Sequence, residues 1–254
     1  MEKDAIRQQF NIQAEQFARF EMTRNETIFQ FTFDFCEFQQ CDTLLDVACG
    51  SGAFAVFCAG RLRHAKGIDI SDELIKYAKK HAEELKLANA EFIRGDVEKL
   101  PFPESSFSIV SCRSGFHHME NCNRVIQEMA RCATKGGKIC IQDMTAYQQP
   151  GVNKFFEEMD KEIDPSHFRA LTSAEIQQLL SANNIEIEKI FEAVLAHNLS
   201  EYIGHAHQSK KQLDALTELI STGLNDRAMS EWLYLEDGNI QFKRGGIIIY
   251  GTVL

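Results

Sequence analysis

The segment Leu44–Gly52, with the sequence Leu-Leu-Asp-Val-Ala-Cys-Gly-Ser-Gly, constrains the fold of this chain more than any other stretch. Residues 43–47 form a short, largely apolar run that ends near two glycines, Gly50 and Gly52, which predicts a buried strand entering a tight turn. Small and apolar residues follow without alternation over residues 53–62 and predict a helix packed on a sheet. A strand, a glycine-rich turn and a helix in this order bring a ligand close to the backbone and to the free N–H groups of the helix.

Two classes of cofactor use this geometry, and the turn alone does not separate them. Gly50, Gly52 and Ala55 match the dinucleotide pattern G-x-G-x-x-G/A, and Asp69 lies near the expected distance of about 20 residues downstream. Asp46 lies near the carboxyl end of the first strand, where it would repel a pyrophosphate and attract an ammonium or a sulfonium. Because S-adenosylmethionine carries both of these positive charges and no phosphate, Asp46 favours it over NAD(P).

Acidic residues also follow the next two predicted strands. Asp69 lies near the end of the second strand, and its carboxylate can accept hydrogen bonds from both hydroxyls of a ribose. The third is followed by Asp96 and Val97, a carboxylate and an N–H that suit the amino group and a ring nitrogen of adenine. Since the carboxyl ends of parallel strands share one edge of a sheet, we expect Asp46, Asp69 and Asp96 to face one ligand.

The rest of the chain continues the alternation of strand and helix. Strands are predicted at residues 43–47, 65–70, 91–94, 106–112, 138–142, 185–194 and 245–254. This order predicts an α/β fold with a Rossmann-like, doubly wound parallel sheet, right-handed crossovers and helices on both faces. We expect one domain over residues 41–254, with a helical elaboration at about 145–230.

Residues 1–40 are predicted to form a separate N-terminal segment. Ile6, Phe10, Phe17 and Phe20 recur at nearly helical spacing, which favours an amphipathic helix docked on the core. A lid whose aromatic side chains cover a bound ligand is the alternative, and the sequence leaves both open.

Composition excludes several kinds of partner. A net charge of −10 disfavours nucleic acid, because phosphate contacts need clustered Lys and Arg. No apolar run reaches the roughly 18 residues of a membrane span, and the start Met-Glu-Lys-Asp carries no signal peptide, so we expect a cytoplasmic protein. The eight cysteines form no C-x-x-C pair, so we predict buried thiols and no metal site. Whether the chain forms a homo-oligomer stays open.

These motifs in this order resemble the class I S-adenosylmethionine-dependent methyltransferases, in particular the small-molecule branch that includes the ubiquinone and menaquinone biosynthesis C-methyltransferases. The resemblance covers roughly residues 40–190. It rests on Leu-Asp-Val-Ala-Cys-Gly-Ser-Gly, Gly-Ile-Asp-Ile-Ser, Gly-Asp-Val-Glu-Lys-Leu-Pro-Phe-Pro, the adjacent His117 and His118, and Lys-Gly-Gly before the fifth strand. It implies a seven-stranded sheet whose last strand is antiparallel, and methyl transfer that releases S-adenosylhomocysteine.

The resemblance also implies which residues hold the cofactor. Ala48, Gly50 and Gly52 would line its methionine and ribose portions, and Arg113 and Ser114 would lie at its methionine end. The full implied set is Asp46, Ala48, Gly50, Gly52, Asp69, Ile70, Asp96, Val97, Arg113 and Ser114. Two residues depart from the family pattern: Ala48 replaces the usual first glycine, and Lys135 replaces a usual proline in a turn.

Three histidines are candidates for catalysis. His117 and His118 follow the fourth strand at the same sheet edge, and His167 lies in a later loop. Methyl transfer needs aligned reactants, and it needs a base only where the acceptor arrives protonated. We hypothesise that His117 or His118 orients or deprotonates the acceptor, with His167 second in rank.

The acceptor is expected to be a small molecule, apolar or aromatic, because aromatic residues are frequent near the N terminus. Three other functions stay open from the sequence. They are an NAD(P)-dependent oxidoreductase, a protein that binds S-adenosylmethionine without catalysis, and an arsenite methyltransferase, which would need clustered thiolates.

Overall fold

Eight strands form one mixed sheet in the computed structural model, which describes residues 3–254. They are β1 (Thr43–Val47), β2 (His64–Asp69), β3 (Ala90–Arg94), β4 (Phe107–Arg113), β5 (Ala133–Thr145), β6 (Ile185–Asn198), β7 (Leu233–Glu236) and β8 (Asn239–Val253). Their order is β3-β2-β1-β4-β5-β8-β6, and β7 pairs with β8 beside this path. Strands β1 to β5 pair in parallel, whereas β8 runs antiparallel to β5, β6 and β7. The predicted mostly parallel sheet with an antiparallel last strand is confirmed, with β7 added to the seven predicted strands.

Helices pack on both faces of this sheet, as predicted. They are α1 (Lys3–Arg19), α2 (Glu26–Phe35), α3 (Ala53–Ala59), α4 (Asp72–Glu84), α5 (Cys122–Cys132), α6 (Pro150–Ile163), α7 (Ser173–Ala182), α8 (Leu199–Ile203) and α9 (Lys210–Asn225), with 3-10 turns at Glu21–Arg24 and Phe116–His118. Successive side chains of β1 point to opposite faces. Leu45 therefore belongs to a buried cluster with Ile126 of α5, and Leu44 to another with Phe54 of α3.

Two helices begin where their capping residues predict. The Ser71 hydroxyl accepts a hydrogen bond from the Leu74 N–H at 3.1 Å and starts α4. Thr172 and Glu175 form a reciprocal capping box at the start of α7. The cap at Ser71 matters for the site because it fixes the chain immediately after the end of β2.

A third buried cluster joins the helical elaboration to the far end of β8. Phe156 of α6, Tyr202 of α8 and Phe242 of β8 belong to it. Asp160 of α6 also accepts two hydrogen bonds of 2.7 Å from the Arg244 guanidinium, and both side chains are buried. This ion pair ties the elaboration to the sheet.

Several element boundaries differ from the prediction. Strand β6 runs to Asn198 and β8 begins at Asn239, so both continue beyond the predicted 185–194 and 245–254. Strand β5 begins at Ala133, before the predicted turn at residues 135–137, because its pairing with β4 is irregular there. The extensions carry polar residues, which conceal their strand character in the sequence.

The N-terminal helix α1 docks as an amphipathic helix. Its Phe10 and Ala14 form a small buried cluster with Leu74 of α4, and Ile6 and Phe17 pack against this cluster. Among residues 3–254, no helix combines the length and the apolar character that a membrane crossing requires.

Candidate active site

A cavity of about 150 Å³, here called the first cavity, lies at the carboxyl ends of the parallel strands and beneath α1. The turn after β1, the ends of β2 and β4 and the segment after β3 all contribute to its wall. Ligands of open α/β sheets bind at this edge, where the strand order reverses between β1 and β4.

Nine of the ten residues implied for cofactor binding line the first cavity. They are Asp46, Ala48, Gly50, Asp69, Ile70, Asp96, Val97, Arg113 and Ser114. Gly52 is not among the lining residues. A Cβ at Gly52 would lie 2.6 Å from the Ala78 Cβ and 2.7 Å from the Phe92 ring, and its φ is +74°. This glycine therefore lets the turn pack closely against α4 and β3.

Asp46 is the most deeply buried acid of the first cavity. Its side chain accepts a hydrogen bond of 2.7 Å from the Ser111 hydroxyl on the neighbouring strand β4. Burial raises the pKa of Asp46 to about 6, although the hydrogen bond from Ser111 and the charge of Arg113 act in the opposite direction. The sequence did not reveal Ser111 as a partner, because the register of β1 and β4 creates this contact.

Asp69 holds the turn in place. It accepts hydrogen bonds from the Gly50 N–H at 2.8 Å and from the Ser71 N–H at 2.9 Å. Burial raises the pKa of Asp69, while the backbone hydrogen bonds from Ser71 and Gly50 oppose the rise. One carboxylate thus joins the glycine turn to the start of α4 on the rim of the cavity.

Asp96 lies at the outer part of the rim and is partly exposed. The Lys3 ammonium of α1 lies 2.8 Å from its carboxylate and 3.0 Å from that of Glu98. The cavity lining includes five carboxylates, and two permanently charged cations, Lys3 and Arg113, face them. The wall is therefore negative overall and suits a cationic ligand better than a phosphate.

A second cavity of about 420 Å³ adjoins the first. The two cavities share five lining residues, which are Phe17, Thr23, Arg113, Ser114 and His118. Side chains of β6 form much of the opposite wall, including Phe191, Ala193 and Leu195. The second cavity is thus mainly apolar and opens beside the acidic one.

The three candidate histidines lie together but differ in access. The ring centroids of His117 and His118 are 4.1 Å apart, and that of His167 is 5.6 Å from His117. His117 lines the second cavity and His118 lines both, whereas His167 lines neither. The His167 Nε2 lies 3.1 Å from the Glu157 carboxylate, so this ring lies behind the other two.

His117 and His118 have opposite protonation preferences. Burial lowers the pKa of His117, but the charge of Asp143, whose Oδ1 lies 2.5 Å from Nδ1, raises it above the ordinary value. Burial and the neighbouring charge of His117 lower the pKa of His118 to about 3. The pair therefore holds its positive charge on His117 and keeps His118 neutral.

The cysteines are mainly core residues, with two exceptions. Cys41 is exposed, and Cys49 is half-buried on the wall of the first cavity. Burial raises the pKa of the Cys49 thiol, which disfavours a thiolate. Within residues 3–254, no group of three or more His, Cys, Asp or Glu side chains is arranged to hold a metal ion.

The raised pKa of Asp46 gives a prediction for pH-dependent stability. Because the folded pKa of about 6 exceeds the ordinary aspartate value of about 3.9, the wild type should lose stability relative to Asp46→Asn as pH rises from about 4 to 6.5. The expected change is about 2–3 kcal/mol, measured by urea denaturation across this range. Asp72→Asn, at an exposed carboxylate outside the cavity, is the control; a parallel profile for Asp46→Asn and wild type would contradict the prediction.

The fold and the paired cavities define a Rossmann-like α/β protein of the methyltransferase type. Residues 38–184, more than half of the chain, match the model of the methyltransferase domain family. The chain belongs to this family.

Its relatives are methyltransferases of several kinds. It is 31% identical over 147 residues to the uncharacterized methyltransferase YcgJ of Bacillus subtilis. The matched residues are 58% of this chain and 58% of that protein. It is also 31% identical over 121 residues to a demethylmenaquinone methyltransferase of Listeria monocytogenes, 46% of this chain and 51% of that protein. The matches thus span somewhat more than half the length of these relatives.

Solved structures share the fold over nearly the whole chain. The crystal structure of the Bacillus subtilis YcgJ protein has a TM-score of 0.82 and 24% identity, and covers 90% of this chain and 98% of that one. The geranyl diphosphate C-methyltransferase of Streptomyces coelicolor has a TM-score of 0.63 and 14% identity. The match covers 90% of this chain and 79% of that one. That structure contains Mg²⁺, geranyl diphosphate and S-adenosyl-L-homocysteine.

Proposed function

We propose that this protein transfers a methyl group from S-adenosylmethionine to a small-molecule acceptor held in the second cavity. The observation that carries the proposal is the acidic first cavity, which meets an apolar cavity at Arg113, Ser114 and His118. A sulfonium donor placed in the first cavity would have its positive charge among carboxylates. An apolar acceptor in the second would lie next to it.

The residues of the first cavity fit this cofactor. Asp69 would accept from the ribose hydroxyls, and Asp46 would face the ammonium of the methionine part. Asp96 and Val97 would contact the adenine. When bound, S-adenosylmethionine supplies a methyl group that is already activated, so the protein's task is to align the acceptor and exclude water.

Helix α1 supports the proposal that the N-terminal segment covers the site. Lys3, Ile6, Phe10 and Phe17 all line the first cavity, and a Phe17 ring carbon lies 3.0 Å from where a Gly50 Cβ would stand. The volume of about 150 Å³ is below the roughly 300 Å³ of small ligand pockets. Side chains of α1 must therefore move to admit a nucleoside, which is the behaviour of a lid.

The competing functions fit these observations less well. A dinucleotide would place its pyrophosphate at the glycine turn, close to the carboxylates of Asp46 and Asp69, whose negative charge Arg113 offsets only in part. A binding protein without catalysis would not need the second cavity. One relative is named a demethylmenaquinone methyltransferase, and the structure of one neighbour contains geranyl diphosphate; both compounds have apolar parts. They support an acceptor of this kind here.

Blocking the second cavity tests the proposed acceptor site. Wild-type protein is incubated with S-adenosylmethionine that carries a tritiated methyl group and with a panel of phenols, quinols, amines and isoprenoids. We expect Ala193→Phe to lower kcat/KM for each methylated compound by about tenfold to a hundredfold, because overpacking costs about 1–3 kcal/mol. The affinity for S-adenosylhomocysteine should not change.

The matched control is Val194→Phe, which adds a similar group to the neighbouring exposed residue of β6, outside the cavity lining. Equal turnover by the two variants would contradict the assignment of the acceptor site. Binding of S-adenosylhomocysteine without turnover of any compound in the panel would favour the non-catalytic alternative.

A further inference from the structure

A chain of hydrogen bonds runs from His118 to the N-terminal helix. The His118 Nδ1 lies 3.0 Å from the Ser166 hydroxyl, which lies 2.6 Å from Oδ1 of Asp164. The Gln13 amide of α1 donates to Oδ2 of Asp164 at 2.9 Å. Gln13, Asp164 and Ser166 are all buried, so these bonds form without competition from bulk water.

The donors and acceptors available in this series of hydrogen bonds fix the direction of each bond. The Asp164 carboxylate accepts from the Gln13 amide, from the Ser166 N–H and from the Ser166 hydroxyl, and three such donors keep it ionised. An ionised carboxylate only accepts, so the single hydroxyl proton of Ser166 points to Asp164. The Ser166 oxygen must then accept from His118, which places the proton of the neutral ring on Nδ1.

We propose that Asp164 and Ser166 are positioning residues that hold His118 in its Nδ1–H tautomer, so that Nε2 serves as the general base for an acceptor with an O–H group. This inference rests on the proposed function. The His118 ring lines both cavities at the point where they meet, and its Nδ1 faces Ser166. The ring is therefore placed beside the proposed path of the methyl group.

The proposed step is balanced in atoms and charge. The acceptor oxygen forms a bond to the methyl carbon, and the carbon–sulfur bond breaks with its electron pair left on sulfur. The acceptor proton passes to Nε2 of His118 and later to water. As the new oxygen–carbon bond forms, the acceptor's O–H becomes strongly acidic, so a weak base suffices. This is why a ring with a pKa of about 3 can act here.

Neighbouring charges fit this role. His117 and His167 lie beside His118 and disfavour a second positive charge in the resting site, whereas Asp164 favours it. The proton that His118 accepts is therefore held only briefly, with Asp164 as the counter-charge through Ser166. Gln13 supplies one of the donors to Asp164 from α1, so docking of this helix completes the chain.

Nitrogen-15 NMR of the imidazole rings tests the tautomer directly, in the full-length protein without ligand. We expect the His118 ring, assigned by its loss in His118→Asn, to show the proton on Nδ1 at neutral pH. Ser166→Ala and Asp164→Asn should each shift the ring away from this tautomer. Ser108→Ala should leave it unchanged, because Ser108 also donates to a carboxylate, that of Asp42, but at the opposite end of β4.

Once the His118 ring is assigned, the wild-type spectrum decides the first step, whether or not the Ser166 and Asp164 variants fold. A proton on Nε2, or on both nitrogens, would overturn the proposal. So would an unchanged tautomer in a folded Ser166→Ala protein. With an O–H acceptor from the panel, Ser166→Ala should lower kcat about tenfold or more without changing the affinity for S-adenosylhomocysteine. If the wild type itself does not bind S-adenosylhomocysteine, the proposed function is refuted instead.

If the panel yields only carbon acceptors or substrates that are anions before binding, the base role is refuted while the proposed methyl transfer stands. Methylation of amines without methylation of any O–H compound would also refute the base role, because a neutral amine attacks with its free electron pair and needs no base.

Discussion

Replacing Asp69 with asparagine is expected to weaken the binding of S-adenosylmethionine and of S-adenosylhomocysteine by about tenfold to a hundredfold. The carboxylate would accept hydrogen bonds from the ribose, and hydrogen bonds to charged groups contribute about 1.5–3 kcal/mol. An asparagine of the same shape keeps one oxygen to accept from Gly50 or Ser71, so the turn should stay folded. Isothermal titration calorimetry measures the change.

Asp72→Asn is the matched control for Asp69→Asn. Asp72 lies three residues later at the start of α4, makes an exposed contact of 3.4 Å with Arg94 and does not line the first cavity. Its replacement should leave both affinities unchanged. Equal losses in the two variants would mean that the general acidity of this region, rather than a specific contact at Asp69, governs binding.

Breaking the buried ion pair between Asp160 and Arg244 should destabilise the protein by about 3–5 kcal/mol. Asp160→Ala leaves the Arg244 guanidinium buried without its carboxylate, among the rings of Tyr147 and Phe156. The Nε of Arg244 already has no hydrogen-bond partner within the described chain, so little else can compensate. Urea denaturation at neutral pH measures the loss.

Two further variants separate the charge effect from the loss of packing. Asp160→Leu combined with Arg244→Met should recover most of the stability, since it removes both charges together. Glu158→Gln on the same helix removes an exposed pair with Lys154 of 3.9 Å and should change stability very little. A loss in Asp160→Ala no larger than that in Glu158→Gln would contradict the structural role of the pair.

The rim of the first cavity could be predicted because it depends on local patterns and one topological rule. Each acid lies at the carboxyl end of a strand or just after it, and parallel strands place these positions at one edge of the sheet. The structure brings Asp46, Asp69 and Asp96 to one cavity on this basis. Their partners could not be predicted in the same way. Ser111 meets Asp46 through strand register, and Lys3 meets Asp96 through the docking of α1.

The catalytic candidates show the limit of sequence reasoning more clearly. Position after β4 indicated His117 and His118, but nothing local shows that Ser166 contacts His118 or that Asp164 accepts from Ser166. Gln13 is 151 residues away from Asp164 in sequence, and the contact depends on how the N-terminal helix crosses the sheet edge. Long-range packing of this kind creates no periodic signal in one sequence.

Gly52 shows that packing can require a residue of a binding motif. The resemblance implied a cofactor contact at this residue, which stays a prediction, and its close neighbours are Ala78 and Phe92. The left-handed backbone and the close approach of α4 both require glycine there.

The Asp237-Gly238 pair is a sequence pattern typical of a hairpin turn. Its φ values are +50° and +78°, and it forms the turn between β7 and β8.

A direct comparison of cofactors tests the central claim, that the acidic first cavity selects a nucleoside that carries an ammonium group over one that carries phosphates. Wild-type protein is titrated calorimetrically with S-adenosylmethionine and S-adenosylhomocysteine and, under the same conditions, with NADH and NADPH. We predict saturable one-to-one binding of the first two and no measurable binding of the dinucleotides. Binding of NADH or NADPH in the absence of any heat from the sulfur nucleosides would contradict it.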